Sequence, residues 1–272
     1  MARYEIVCVT DPGKVRSGNE DAVLAEPELG LAILADGMGG YAAGEVASKM
    51  AVDEVRGELA SALPHLLVKP AEEVLSGLVE DMRFAASRAN DSILNAAKRE
   101  SDYEGMGSTL VIAVLLGERI CIGHLGDSRA YRWREGRLAQ LTRDHCWVDE
   151  QVAAGSLTVD ALINERYKNI VTRALGIEEE VDLEVHDHDA LKDDVFLLCS
   201  DGLTDMVTDP QIEAVLGEAL PLADRARKLV DMANANGGKD NVSVVLMREA
   251  ADAGGAGWAR RLVRRLSGQG PT

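Results

Sequence analysis

Positive charge is what this chain has least of. Its 272 residues carry 29 Lys and Arg against 46 Asp and Glu, a formal net charge of −17. A surface of that sign repels nucleic acid and anionic membrane over most of its area, so no nucleic-acid partner is expected. Cysteine is also scarce. Cys8, Cys121, Cys146 and Cys199 lie far apart and form no Cys-x-x-Cys pair, and no His/Cys spacing suits zinc. Three of them sit inside apolar runs, which fits buried free thiols in a reducing, cytoplasmic compartment. Long apolar runs are missing: Thr109 to Leu116 falls well short of the ~20 residues that span a bilayer. The first residues lack the charged, apolar and small-residue regions of a secretory leader, so none is expected. No repeat of 20 to 50 residues is present, and G-x-x-x-x-G-K-[ST], G-x-S-x-G and H-E-x-x-H are all absent. With 46% hydrophobic and 28% charged residues the composition is that of an ordinary globular protein, which excludes disordered and collagen-like chains.

Periodicity then orders the chain. Tyr4 to Val9 predicts a strand closed by Asp11-Pro12-Gly13, and Ala22 to Ala25 with Leu31 to Ala35 predicts a hairpin around Pro27-Glu28. Helical spacing predicts two helices, Gly44 to Leu63 and Ala71 to Arg99, punctuated by Pro64 and Pro70. Thr109 to Leu116, Arg119 to Leu125, Arg129 to Trp133 and Arg137 to Leu141 follow with short links, the pattern of an antiparallel meander. Val181 to Val185 and Val195 to Ser200 read as strands. Asp209-Pro210 reads as a helix start with Asp209 as N-cap, Leu222 to Ala235 as a helix, and Asn241 to Met247 as a last strand. Strand blocks alternating with helix pairs imply an α+β fold, an antiparallel sheet structure covered by helices.

One domain is expected over residues 1–250, with a mixed, partly helical segment at 142–176. Residues 251–272 form an Ala/Gly linker and a short basic tail in which Arg260, Arg261, Arg264 and Arg265 alternate with Trp258, Leu262, Val263 and Leu266. Four Arg against one Asp make the tail +3 and leave −20 on residues 1–250. Such a segment can dock on an acidic partner or a membrane surface, or serve only as a solubilising end.

The informative pattern is where the acids fall. Asp36-Gly37 ends the run Leu31 to Ala35, Asp201-Gly202 ends Val195 to Ser200, Gly126-Asp127 follows Ile120 to Leu125, and Asp240-Asn241 opens Val242 to Leu246. A carboxylate at the mouth of a core is costly unless paired or bound to metal. A hairpin turn is the ordinary meaning of Asp-Gly, but here a helix rather than a strand follows both pairs. If the strand ends converge, Asp36, Asp127, Asp201 and Asp240 make an all-oxygen ligand set suited to Mg²⁺ or Mn²⁺. The Gly lets the backbone approach, and its carbonyl can itself be a ligand. The neighbouring run Arg16-Ser17-Gly18-Asn19-Glu20-Asp21 offers a guanidinium for a phosphoryl group and two acids for metal-bound waters, though alone it would read as a solvated loop. Gly37-Met38-Gly39-Gly40-Tyr41-Ala42 also fits the G-x-G-x-x-A dinucleotide fingerprint. The second helix that follows, with no strand before Thr109, contradicts that reading.

Taken in order, Val15 to Asp21, Leu34 to Gly40, Gly107-Ser108-Thr109, Gly126 to Arg129, Leu141 to His145, Ser200-Asp201-Gly202 and Asp240-Asn241-Val242 resemble the metal-dependent type 2C (PPM) protein serine/threonine phosphatases, in their compact bacterial form. The resemblance covers about residues 3 to 247. It implies a central β-sandwich of two antiparallel sheets flanked by helix pairs, with a two-metal centre at one end. Matched motif by motif, Asp36 would bridge two Mn²⁺ or Mg²⁺ ions and Gly37 would give one of them its carbonyl. Asp201 and Asp240 would complete the other, and Asp127 with Asp201 matches a third metal site of bacterial members. Arg16 matches the phosphate-binding arginine, and residues 142–176, with Gly155-Ser156-Leu157-Thr158, match a variable flap; beside them Glu20 and Asp21 keep the outer, water-holding role read from their own chemistry. The implied activity is hydrolysis of phosphoserine and phosphothreonine in proteins by a metal-bridging hydroxide, opposing a bacterial serine/threonine kinase. Met38 and Tyr41 stand where relatives carry a histidine. The proton donor is therefore open: His145 is a candidate by motif position alone, against an ordinary structural role. A phosphoprotein-binding relative without turnover would be expected to lack a ligand Asp, and none is missing.

Overall fold

The computed structural model describes residues 3–40, 43–68, 70–147 and 171–250. Eleven strands occur among them: β1 (Tyr4–Asp11), β2 (Asp21–Glu26), β3 (Leu31–Met38), β4 (Gly107–Ser108), β5 (Leu110–Leu116), β6 (Arg119–Leu125), β7 (Arg129–Arg134), β8 (Arg137–Gln140), β9 (Glu184–Asp189), β10 (Val195–Cys199) and β11 (Val242–Glu249). The α-helices given whole by the described residues are α1 (Ala43–Leu66), α2 (Ala71–Arg99), the single turn α3 (Asp201–Thr204), α4 (Asp209–Leu216) and α5 (Leu222–Ala235), with a 3-10 turn at Ser101–Tyr103.

Two antiparallel sheets stack face to face, in the orders β1-β11-β10-β7-β8 and β2-β3-β5-β6-β9, with β4 added to the end of β3. Central strands are buried on both faces, which is why their sequences are continuous apolar runs rather than alternating ones. Along β3, Ala32 and Leu34 point into the inter-sheet core while Leu31, Ile33 and Ala35 pack under α1 and α2. Along β10, Phe196 and Leu198 point inward while Val195, Leu197 and Cys199 pack under α4 and α5. Three apolar layers result, one between the sheets and one beneath each helix pair. The α+β sandwich flanked by helix pairs is therefore the observed fold.

Several local expectations need correction. The run from Thr109 to Leu141 is not one meander: β5 and β6 pair in one sheet, and the link Gly126–Ser128 carries the chain across to β7 in the other. Beyond β6 the sheet continues instead with β9. That strand lies at Glu184–Asp189, later than Val181 to Val185, because the register against β6 selects it and not its own hydropathy. Helix α1 runs through Pro64 to Leu66, one turn further than the proline suggests, because buried Leu63 and Leu66 hold the last turn down. The N-cap of α4 is Thr208, in a capping box with Gln211, which moves Asp209 and Pro210 into the first turn.

Candidate active site

The inward-facing rows explain the site. Counting every second residue along each strand, the apolar core rows end in polar side chains at one end of the sandwich. Ala32 and Leu34 lead to Asp36, Val111 to Thr109, Ala130 to Ser128, Phe196 and Leu198 to Ser200, and Met247 and Val245 to Ser243. The rows converge because antiparallel strands from both sheets start or finish there. Acids and hydroxyls thus replace the last layer of the core.

A cavity of about 300 Å³ opens over this layer, lined among others by Arg16, Glu20, Asp36, Gly37, Met38, Thr109, Asp127, Asp201 and Asp240. It shares Arg16, Glu20, Gly39 and Asn241 with an adjoining hollow of about 630 Å³, so the two form one groove. Of the residues assigned to metal or phosphate in the sequence, Arg16, Glu20, Asp36, Gly37, Asp127, Asp201 and Asp240 are brought here and Asp21 is not. That side chain lies beneath the floor, buried, accepting a hydrogen bond from Ser200 Oγ at 2.8 Å and paired in register with Asp36.

Glycine makes the convergence possible. A Cβ on Gly37 would sit 2.0 Å from the Gly44 carbonyl oxygen and 2.6 Å from that of Glu20. A Cβ on Gly202 would sit 2.0 Å from the Asn241 oxygen. Both Asp-Gly pairs therefore end a strand where backbone packs on backbone, one on each sheet.

The acids are held in place by neighbours to which the sequence reading assigned no role. Thr109 Oγ1 accepts the Asp36 N–H at 2.9 Å and shares a 2.9 Å hydrogen bond with Ser128 Oγ, while Ser108 Oγ donates to the Asp36 carbonyl. Asn241 anchors the loop that carries Arg16: its Nδ2 donates to the carbonyls of Pro12 and Gly18, and its Oδ1 accepts the Glu20 N–H at 2.8 Å. The signal that could have found these groups is the same two-residue count along the strands.

Crowding leaves an electrostatic record. Burial, followed by the charges of Asp21, Asp201, Asp127 and Asp240, drives the Asp36 carboxyl well above the ordinary carboxylate range. Burial, then Asp127, Asp240 and Asp205, pushes Asp201 up to about 8. Burial raises Asp127 to about 6, and raises Asp21 to about 6 against hydrogen bonds from Ser243 and Ser200. Arg16 is the one cation lining the cavity among the described residues, and its Nη2 lies 2.6 Å from Asp240 Oδ2. One guanidinium cannot neutralise the five carboxylates of Glu20, Asp36, Asp127, Asp201 and Asp240, and no imidazole or thiol among the described residues lines the cavity. An all-oxygen, under-neutralised donor set of this kind fits a hard divalent cation and does not fit zinc.

His145 stands apart from the groove. Its ring is buried and stacks on His124 with centroids 4.6 Å apart; Nδ1 accepts the Gly126 N–H and Nε2 contacts Glu184. These bonds brace the turn at Gly126 (φ +102°) that aims Asp127. His124, His145 and Glu184 have donor atoms within 4.8 Å of one another; Nε2 of His124 meets the Arg143 carbonyl and Nδ1 of His145 accepts from Gly126, while Nδ1 of His124 is buried with no hydrogen-bond partner among the described residues. Tyr41, Gly155-Ser156-Leu157-Thr158, most of the expected flap and the basic tail lie outside the described residues.

A two-sheet sandwich with a cation-demanding acidic groove and a single arginine at its mouth defines a class of anion-handling site. The comparisons give it a family. The profile described as Protein phosphatase 2C matches residues 14–247. The serine/threonine phosphatase Stp of Listeria monocytogenes is 37% identical over 241 residues, 88% of this chain and 93% of the relative. The S. agalactiae serine/threonine phosphatase shares the fold with a TM-score of 0.82 at 34% identity, covering 91% of this chain and 100% of that one. The catalytic domain of the phosphatase PstP, solved in complex with two manganese ions, matches with a TM-score of 0.73 at 37% identity over 90% of this chain and 97% of that one. The chain belongs to the protein phosphatase 2C family.

Proposed function

We propose that this chain is a metal-dependent phosphatase that removes phosphate from phosphoserine and phosphothreonine in proteins. The observation that carries the reading is the convergence of Asp36, Asp127, Asp201 and Asp240 with Arg16 on one cavity, in a chain of this family. Asp36, the Gly37 carbonyl, Asp201, Asp240 and Asp127 would hold the Mn²⁺ or Mg²⁺ ions, Glu20 would hold water beside them, and Asp21 would brace the floor through Ser200. When bound, the divalent metal supplies the positive charge that acidifies water and neutralises phosphoryl oxygens.

The chain's own groups do the positioning. Arg16 is half-free of the protein at the groove mouth and offers paired N–H donors to a phosphoryl group in exchange for Asp240. Asn241 fixes the Arg16 loop, and the Thr109–Ser128 pair fixes Asp36, so the electrostatics are set before substrate arrives. Met38 supplies no proton, so the leaving alcohol must be protonated by a group other than a family histidine at that position.

The proposal extends to a bacterial serine/threonine kinase as the source of the substrates, and to an acidic partner or membrane surface for the tail. A cytoplasmic site of action is supported by the four free cysteines, of which Cys121, Cys146 and Cys199 are buried, while Cys8, in an apolar run, is exposed. No helix among the described residues is long and apolar enough to cross a membrane.

The test is hydrolysis of p-nitrophenyl phosphate and a phosphothreonine peptide with Mn²⁺, with Mg²⁺ and with EDTA, beside Asp201→Asn. Turnover that requires metal and is lost in the variant is expected. A folded protein without turnover under any metal would overturn the reading. Removing residues 251–272 should leave peptide kinetics unchanged and alter localisation in cells; unchanged localisation would sink the role given to the tail.

A further inference from the structure

A second cavity, of about 410 Å³, is lined by residues that neighbour those of the catalytic cavity along the chain. Its lining includes Leu125, which precedes the Gly126-Asp127 turn, and Thr172, which follows Val171 of the catalytic cavity. The segment that forms it is firmly held. Ser108 and Leu175 exchange backbone hydrogen bonds at 3.0 and 2.9 Å, and the buried Asn90 accepts the Gly176 N–H at 2.7 Å while donating to the Glu178 carbonyl at 2.9 Å. Leu125, Val181 and the exposed Ile177 supply apolar surface, and Glu178, Glu180 and Asp182 stand around it. Arg173 also lines the cavity, so three carboxylates face one guanidinium. Among the described residues none forms a salt bridge with Glu178, Glu180 or Asp182, whereas Asp187, Asp189 and Asp194 nearby in sequence are all paired with arginines.

We infer that this cavity docks the segment flanking the phosphorylated residue of a substrate protein, and that it selects basic residues accompanied by an apolar one. The inference rests on the phosphatase reading and deepens it. Two observations fix the occupant. Its lining adjoins that of the catalytic cavity at two points of the chain, Leu125 beside Gly126-Asp127 and Thr172 beside Val171, so it neighbours the place where a substrate's phosphate would lie. Its charge is complementary to Arg and Lys, and its apolar wall accepts the stems of those side chains or a neighbouring Leu. An acidic flank would meet repulsion there, which makes the surface selective and not merely adhesive.

The experiment uses the full chain with Mn²⁺ and phosphothreonine peptides that differ only in their flanks: paired Arg plus Leu, the same positions as Glu plus Leu, and a neutral version, each placed before or after the phosphoresidue. The wild type should favour the basic flank over the acidic one on one side, by about tenfold in kcat/KM, the size expected of a few exposed ion pairs acting together. The variant Glu178→Gln/Glu180→Gln/Asp182→Asn should bring that ratio close to one and leave p-nitrophenyl phosphate hydrolysis unchanged. Ile177→Ser should lower kcat/KM for every Leu-containing peptide and not for the small substrate. A wild type without flank preference, or a triple variant that keeps it, would overturn the inference. Anisotropy of the same peptides, fluorescein-labelled, reads the preference as binding, so loss of turnover by the wild type would count against the phosphatase reading alone.

Discussion

Asp201→Asn makes the crowding of carboxylates measurable without any catalytic assay. In the metal-free fold the Asp201 carboxyl is held at about 8, against an ordinary value of 3.8. A carboxyl raised in the folded state stabilises the fold while protonated and loses that contribution as pH rises through the folded value. Between pH 7 and pH 9 a group at about 8 goes from mostly protonated to mostly ionised in the fold, while the unfolded chain is ionised throughout. The loss over that window is about 1.4 kcal/mol, or roughly 3–5 °C in Tm for a domain of this size. Asp36, driven the same way, adds to the fall. Below pH 7 the signs mix. Asp21 and Asp127, both at about 6, lose stability as pH rises, whereas His124, lowered by burial, loses it as pH falls. Buried Cys121 and Cys199 contribute near pH 9, but equally to wild type and variant. The quantity to read is therefore the difference in Tm slope between the two proteins from pH 7 to 9, by differential scanning fluorimetry in EDTA. The variant should melt higher than wild type at pH 9 and show the shallower slope. Mg²⁺ at about a hundred times its Kd should add about 2.7 kcal/mol to wild type and flatten its slope, and should add much less to the variant. Equal slopes in EDTA, or a variant that melts below wild type at pH 9, would refute the electrostatic account of the groove.

Three further outcomes follow from the geometry. Asp36→Ala, which removes the carboxylate central to the cluster, should cost several orders of magnitude in metal-dependent turnover, and near-normal turnover would show that Asp36 is misassigned. Asn241→Ala frees the Arg16 loop from three hydrogen bonds, so kcat/KM for p-nitrophenyl phosphate should fall about 10- to 100-fold, mostly through KM. Gly202→Ala must displace backbone 2.0 Å away and should lower stability by about 3 kcal/mol or more, while Gly57→Ala, on an open face of α1, should raise it by about 0.5–1 kcal/mol; equal effects in denaturant melts would remove the packing argument.

What could be read from the sequence divides along a physical line. Helices α2 and α5 appear at the residues their periodicity predicts, because a helix's apolar stripe is a local property of its own sequence. The acids that line the cavity were legible because an Asp followed by Gly at the end of an apolar run has few inexpensive explanations. Strand pairing was less so. Nothing local distinguishes a link that turns β6 back on itself from one that carries it to the opposite sheet, and β9, with the sequence Glu-Val-His-Asp-His-Asp, is a strand only because β6 offers an unpaired edge. The hydroxyls of Thr109, Ser128, Ser200 and Ser243 were silent for another reason. Serine and threonine are tolerated almost anywhere, and their role emerges only once the inward row of each strand is known.

That row also links stability to chemistry. Asp36 and Ser200 are the last members of rows that begin with Ala32, Leu34, Phe196 and Leu198, and those apolar side chains fill the space between the sheets. The distance between Asp36 on one sheet and Asp201, just beyond the end of β10 on the other, is thus set by core packing and not by any bond between the two acids. Their mutual repulsion would spread the end of the sandwich were it not offset by the layers behind it, because packed sheets keep their spacing only while the side chains between them are dense. A cavity opened at Phe196 should therefore loosen the groove as well as the fold, and a bound cation should stabilise the same end that the acids weaken. Metal affinity and core packing become two readings of one dimension, the thickness of the sandwich at its acidic end.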